Sequence, residues 1–321
     1  MSVTFRPGKT APHPEATHPR LKLRSFLDVT AVTIPETCDW LSAGGSYPMD
    51  GNDQYGDCVW ACYAHEIQAV TAQARGKAAV LPLSTVLGAY SAVTGFDPRD
   101  PSTDQGTNMQ DGLSWWRKQG YGGHSIAVFA QVDHRNLDEV LAAIDLFGAV
   151  SVGFNFPGSA MDQFNAGQPW TVVRGAQVEG GHAVHAGAYD RSGGWIDVIT
   201  WGKRQRMMLD FWAKYVDEAW VKIPTTDWFN LTGQTPSGLD LPGLGAQFSK
   251  LTGEPNPFPA PAPQPIPDPT PAPEQVTPAD LTLWAQVHPF LQHPHLLPNN
   301  RAARKALLTW GSAKGLHAGG S

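Results

Sequence analysis

The chain has 321 residues, a formal charge of -6 and 16% charged side chains, a size that holds one ample core with an appendage or two modest domains. Its charges form no basic block, so nucleic acid is not an expected partner. Three cysteines are too few for a disulfide framework and lack the paired spacing of a zinc site. No apolar run suits a signal peptide or a membrane span, so the expectation is cytoplasmic synthesis without a signal peptide, no membrane partner and no metal or organic cofactor.

Residues 1–30, broken by Pro7, Pro12, Pro14 and Pro19, read as an extended arm lying across a partner or across the chain's own domain. Residues 31–249 read as an α+β domain with helices first and strands later. Its first helix starts near Asp57 or Cys58 and stops before Gly76, and a second is capped by Ser84. Asp111 to Gln119 forms a third, stopped at Gly120, and Leu137 to Phe147 a fourth with acidic residues in its first turn. Strands are predicted over Ala149 to Phe156, Ala183 to Tyr189, Trp195 to Thr200 and Glu218 to Ile223, with a short helix from Asp210 to Tyr215. The stretch after Pro224 reads as loop packed on the body.

Prolines then occupy every odd position from Pro255 to Pro273. That alternation cannot donate sheet hydrogen bonds and predicts an extended linker over 250–277, rising roughly 3.1 Å per residue. Residues 278–321 carry two apolar helical patterns, one opening at Pro278 and one capped by Asn300. Such a small helical segment suggests docking onto another protein, with a virion partner as one setting.

Chemistry concentrates in Gly51-Asn-Asp-Gln-Tyr-Gly-Asp-Cys58-Val-Trp-Ala-Cys62 and in Gly180-Gly-His182-Ala-Val184. A cysteine at a helix N-terminus lies near unpaired N–H groups, which favour thiolate and can hold an oxyanion. A histidine on a distant strand can act as its base. Cys62, one turn deeper, reads as core. His65 is too far along the helix to serve as base, and His185 should face away from His182 in a regular strand.

These two blocks, with Asp111-Gly-Leu-Ser-Trp-Trp-Arg-Lys-Gln-Gly120 and Gly148-Ala-Val-Ser-Val152 between them, resemble the papain-like cysteine peptidase superfamily over roughly Cys38 to Ile223. The resemblance implies a papain-like fold, Cys58 as nucleophile, His182 as general base, and Trp201-Gly202 as the strand-end pair beside the histidine. It implies an oxyanion-hole amide six residues before the nucleophile, where this chain has Asn52; Gln54 has the family's usual side chain but stands closer in sequence. Where the family orients its histidine with an asparagine, this chain has Ile199. Asp197 shares the strand face of Ile199 and is the candidate substitute, whereas Thr200 points to the opposite face unless the strand has ended.

The expected function is that of a cysteine peptidase or amidase-like hydrolase acting on a peptide or a peptidoglycan cross-link, in a phage-associated or cell-wall context. Two alternatives stand beside it. One is a catalytically weakened papain-like virion structural or attachment protein, for which Ile199 and the proline tether speak. The other is a non-catalytic protein-binding module with tryptophans lining a groove.

Overall fold

The computed structural model describes residue 4, residues 6–224 and 241–258, and short stretches at 277–279, 281–283, 305 and 307–310. The chain divides into two units, Met1–Pro259 and Ala260–Ser321. Of the second unit, the described residues make isolated helical turns, in one of which Thr282 Oγ1 donates to Pro278 O at 2.9 Å. Most of the predicted proline linker and of the terminal helical segment lies outside the described residues.

In the first unit the helices are α1 (Cys58–Arg75), α2 (Leu83–Thr94), α3 (Met109–Gln119), α4 (Leu137–Phe147), α5 (Gly158–Asn165), α6 (Leu209–Tyr215) and α7 (Leu241–Thr252). The strands are β1 (Thr37–Asp39), β2 (Ile126–Val132), β3 (Val150–Pro157), β4 (Val178–Asp190), β5 (Trp195–Thr200), β6 (Lys203–Met208) and β7 (Val216–Pro224). They build one antiparallel sheet in the order β2-β7-β3-β4-β5-β6, with β1 added to β4.

Local signals set the helix ends. Asn108 Oδ1 accepts from the N–H groups of Gln110 and Asp111, and Asn136 Oδ1 accepts from Glu139 N–H. Gly76 and Gly148 close α1 and α4 at φ 63° and 65°, a region that glycine enters without penalty. Helix α1 is buried almost throughout its length. One side of it joins α2 and α3 in a core with Trp60, Tyr63, Tyr90 and Trp116, and Ala183 and Trp220 of the sheet complete that core. The larger core lies on the opposite face of the sheet, where α4 and α6 cover Val152, Phe154, Val184, Ala186 and Val198.

The stretch after Pro224 is corrected in part: α7 occupies 241–252, where Leu244 and Phe248, one turn apart, are buried. Strands β1, β2 and β6 and helix α5 are additions to the predicted elements. The predicted arm lies across its own domain, since Leu21 O accepts from Gln131 N–H at 2.8 Å and Leu23 and Leu27 enter the larger core.

A charged cluster is enclosed where α1 meets the sheet. The Lys222 ammonium contacts both carboxylate oxygens of Glu66 and the Ser151 hydroxyl; Ser151 Oγ also donates to Glu66 Oε1 at 3.0 Å. Burial pushes the Glu66 carboxyl upward, but Lys222 and His185 outweigh it and hold the group below its ordinary value of 4.5. Its contribution to stability is therefore complete above that pH and is lost as pH falls further. Lys222→Met, which strands a buried carboxylate, should lower unfolding free energy by about 3–5 kcal/mol, and Lys222→Met with Glu66→Leu should recover most of the loss. Urea unfolding at neutral pH measures both; equal losses in the single and double variants would contradict this view of the pair.

Candidate active site

Cys58 opens α1 behind Asp57, whose φ of -100° and ψ of 17° lie outside the helix and whose carbonyl accepts from Trp60 and Ala61 N–H. The thiol is 1% exposed. Burial raises it to about 12; the Ala183 N–H on β4, the Lys9 ammonium and the Val59 N–H act in the opposite direction, while Asp57 adds to the rise. Cys58 is thus a neutral thiol in contact with β4 one residue beyond His182.

His182 is enclosed. Its Nε2 lies 2.8 Å from Thr200 Oγ1, and its ring stacks on Trp201 at 4.5 Å between centroids and 15° between planes. Phe154 and Phe156 meet the ring edge to face. Burial in this aromatic box lowers the imidazole to about 3. Trp201 and Gly202 form the two-residue turn between β5 and β6, with φ of 46° and 69°. A tryptophan in the left-handed region is strained, and this turn is what lays the indole over the histidine. His185 takes the other face of β4, as alternation predicts, with Nδ1 3.8 Å from Glu66 Oε1 on α1.

The residue that holds His182 is Thr200, which corrects the expectation for Asp197. Asp197 accepts from Arg204 Nε at 2.8 Å and from Arg206 Nε at 3.0 Å, both on β6. Ile199 packs with Leu41, Tyr47, Ala69 and Ala188. Thr200 is the last residue of β5, still paired with Lys203, and alternation puts it on the face of the sheet that carries His182, while Ile199 pairs with His185 on the other face.

Asn52 is buried beside the start of α1, where its Nδ2 is directed at Asp57 Oδ1, 3.3 Å away, and at Tyr55 O, 3.4 Å away. Gln54 is exposed on the same loop. The structure therefore gathers Cys58, Asn52, Asp57 and Ala183 and leaves Gln54 outside. Cys62 lies in the core with Sγ 3.5 Å from Ser151 Oγ. Among the described residues, no group of three or more His, Cys, Asp or Glu is placed to hold a metal ion, and no helix is long and apolar enough to cross a membrane.

The feature that the sequence reading missed is the occupant of the cleft. Residues 7–10 of the arm run in extended form over Cys58. Gly8 and Lys9 N–H both donate to Gly181 O at 3.2 Å; on the opposite side Gly8 O accepts from Thr107 N–H at 2.9 Å, and Thr10 N–H donates to Thr107 O at 3.1 Å. A Cβ at Gly8 would lie 2.8 Å from Cys58 Sγ and 2.5 Å from Gly56 O. Glycines wall the path as well: a Cβ at Gly56 would strike Pro7 O, and one at Gly106 would strike the Gly8 carbonyl carbon. Glycines at 56, 106 and 181, where a Cβ would meet the backbone of residues 7–9, were the available signal that a chain passes close by.

No family model and no curated protein matches the chain. Among solved structures it is similar to xylellain, a cysteine protease from Xylella fastidiosa, at 15% identity and a TM-score of 0.52, covering 69% of this chain and 99% of that one. Digestive procathepsin L 3 of Tenebrio molitor larval midgut follows at 15% identity and a TM-score of 0.46, covering 64% and 76%. Procathepsin B S9 from Trypanosoma congolense gives 10% identity and a TM-score of 0.47, covering 67% and 86%. The likeness to xylellain is one of fold, and the α+β fold is papain-like.

The aromatic box has a pH signature. An imidazole lowered from 6.5 to about 3 stays neutral in the folded protein while the unfolded chain takes up a proton. The stability linked to His182 is complete above pH 6.5, and it is lost as pH falls through the interval between those two values, by up to about 1.4 kcal/mol per pH unit. His182→Phe should flatten this part of the stability profile. Urea unfolding at pH 7, 6, 5 and 4 tests it; an unchanged slope would contradict the assignment.

Proposed function

We propose that this chain is a cysteine peptidase or amidase-like hydrolase that cleaves peptide bonds with Cys58 as nucleophile and His182 as general base, and that its own arm closes the cleft. One observation carries the reading: residues 7–10 lie as an extended peptide over the sulfur of a cysteine at a helix N-terminus, with main-chain hydrogen bonds to Gly181 and Thr107 on its two sides. A channel that holds one extended backbone by its amides can hold another in its place.

In the proposed reaction the Cys58 thiol gives its proton to His182, and the sulfur adds to the substrate carbonyl carbon. Thr200 Oγ1, 2.8 Å from Nε2, fixes the ring for the transfer. The tetrahedral oxyanion is received by the Cys58 N–H at the open end of α1, joined by the Asn52 amide once it turns from Asp57. Protonated His182 then gives its proton to the departing amine, leaving a thioester. Water, deprotonated by His182, attacks the thioester and releases the acid and the thiol.

Closure accounts for the neutral thiol. With the arm seated, burial dominates the titration of Cys58. Removing the arm admits water to the sulfur, relieves that penalty and lets the N-terminus of α1 and the imidazole favour the thiolate. The proposed setting is phage-associated or at the cell wall, with a peptidoglycan cross-link as one substrate; it rests on the alternating prolines after Pro255.

A second reading, a catalytically weakened scaffold of virion structural type, is favoured by Ile199, which faces Leu41 and Ala69 and contributes no hydrogen bond to the histidine. Turnover separates the two. Gly8→Val places carbons against Cys58 Sγ and Gly56 O and should expel the arm from the sulfur. Iodoacetamide should then label Cys58 at least about ten times faster than in the parent chain, with Cys62 still unlabelled. The same variant should hydrolyse fluorogenic peptides, with activity abolished by Cys58→Ala and lowered by about 10²-fold or more by His182→Ala. Labelling of Cys58 without hydrolysis of peptides or purified wall fragments would favour the scaffold.

A further inference from the structure

The arm carries a charge into the cleft. Lys9, the residue after the glycine against Cys58, is buried with its side chain 1% exposed, and its Nζ lies 3.0 Å from Asp217 Oδ2 and 3.2 Å from Glu218 Oε1. Both carboxylates come from the start of β7. Glu218 is itself 1% exposed and is fixed by Trp220 Nε1, which donates to its second oxygen at 2.7 Å. Asp217 keeps a 21% exposed edge. The lysine stem runs across Gly153 of β3, where a Cβ would lie 2.8 Å from Lys9 Cδ and 2.8 Å from Glu218 Cγ. A register shift between Gly153 and Phe154 against β7 sits at this point.

We infer that the recess formed by Asp217, Glu218 and Gly153 is the specificity pocket of the cleft and selects a Lys or Arg side chain in the bound peptide, Lys9 being its resident occupant. Three features separate this from a simple tether. The recess opens on the channel directly beside the sulfur, so any peptide seated like residues 7–10 offers a side chain to it. Two adjacent carboxylates face one ammonium; burial raises the buried Glu218 carboxyl and the Lys9 charge is the chief opposing influence, so departure of Lys9 removes the partner that holds Glu218 charged. The glycine wall leaves room for a long alkyl stem, while an apolar guest would bury Glu218 without a counter-ion. The guest's charge also acts on the chemistry, because an ammonium at this position favours the Cys58 thiolate. The identity of the guest as a substrate rests on the peptidase reading; the charge preference of the recess does not.

The test uses the full-length chain carrying Gly8→Val and Lys9→Met, which expels the arm and empties the recess. Short capped peptides Pro-Gly-Xaa-Thr, with Lys, Arg, Leu or Glu at Xaa, are added in trans, and protection of Cys58 from iodoacetamide is read by mass spectrometry. The Lys and Arg peptides should protect at a concentration at least about ten-fold lower than the Leu peptide, and the Glu peptide should not protect. Adding Asp217→Asn with Glu218→Gln should erase most of that difference. Equal protection by Lys and Leu peptides would overturn the inference, as would a Cys58 that stays shielded in the double variant, since the arm would then seat without its lysine. Hydrolysis of matched fluorogenic peptides is followed in parallel. Absence of turnover with an intact Lys preference removes the peptidase reading and leaves the pocket; turnover without preference removes the pocket and leaves the peptidase.

Discussion

The first turn of α1 is pressed against β4, and that contact governs the rest of the molecule. It is possible because the facing residues are small: Ala183 brings a backbone N–H to the Cys58 sulfur, and Gly181 and Gly153 continue the same face of the sheet without side chains. Larger residues there would hold the helix away and close the channel above it. The approach also fixes what lies on either face of β4. His185 joins the enclosed Glu66 and Lys222 cluster toward α1, while His182 enters the aromatic box with Thr200 and Trp201. Burial of α1 on nearly all sides gives this arrangement its rigidity, so the sulfur is presented by the core rather than by a loop.

The same burial sets the electrostatic problem. Desolvation acts on Cys58 and His182 in opposite directions and favours the uncharged form of each, so a covered cleft holds thiol and imidazole rather than thiolate and imidazolium. Lys9, Val59 N–H and Ala183 N–H oppose that effect at the sulfur but do not overcome it. The arm is therefore both the cover and a source of positive charge. Its seat combines backbone hydrogen bonds, which are indifferent to sequence, with one buried lysine between two carboxylates, which is not. In the proposed reading, occupation by another peptide rests on the first kind of contact and discrimination on the second.

Much of this was legible in the sequence where the signal was local. The bounds of α4 and β5 agree with the predicted ones because a capping asparagine, a terminal glycine and alternating apolar residues mark them within a few positions. Helix α1 was equally plain. What the sequence hid was mostly long-range. Strand β6, Lys203–Met208, shows charged residues at an edge with Gln205 and Met207 turned inward, a pattern too short and too polar to stand out alone. Missing β6 concealed Arg204 and Arg206, and with them the reason that Asp197 does not reach His182. The role of Thr200 turned on which face of β5 meets His182: Ile199 pairs with His185, so Thr200 shares the face of His182, a cross-strand register that the periodicity of one strand does not resolve. In α7, Pro242, Gly243 and Gly245 masked the pairing of Leu244 with Phe248. Seating of Gly8 and Lys9 against residues some 50 to 210 positions away leaves no periodic trace, only the scattered glycines that admit it.

The central claim is that Cys58, and no other thiol of the chain, is an activated nucleophile once the arm is displaced. A peptidyl vinyl sulfone, which is captured by an attacking thiolate positioned under a bound peptide, tests it most directly. Intact-mass and peptide-level mass spectrometry of the Gly8→Val chain should find one adduct, on Cys58, formed far more slowly in His182→Ala and absent in Cys58→Ala. Adducts distributed between Cys38 and Cys62, or a rate at Cys58 indifferent to His182, would contradict it.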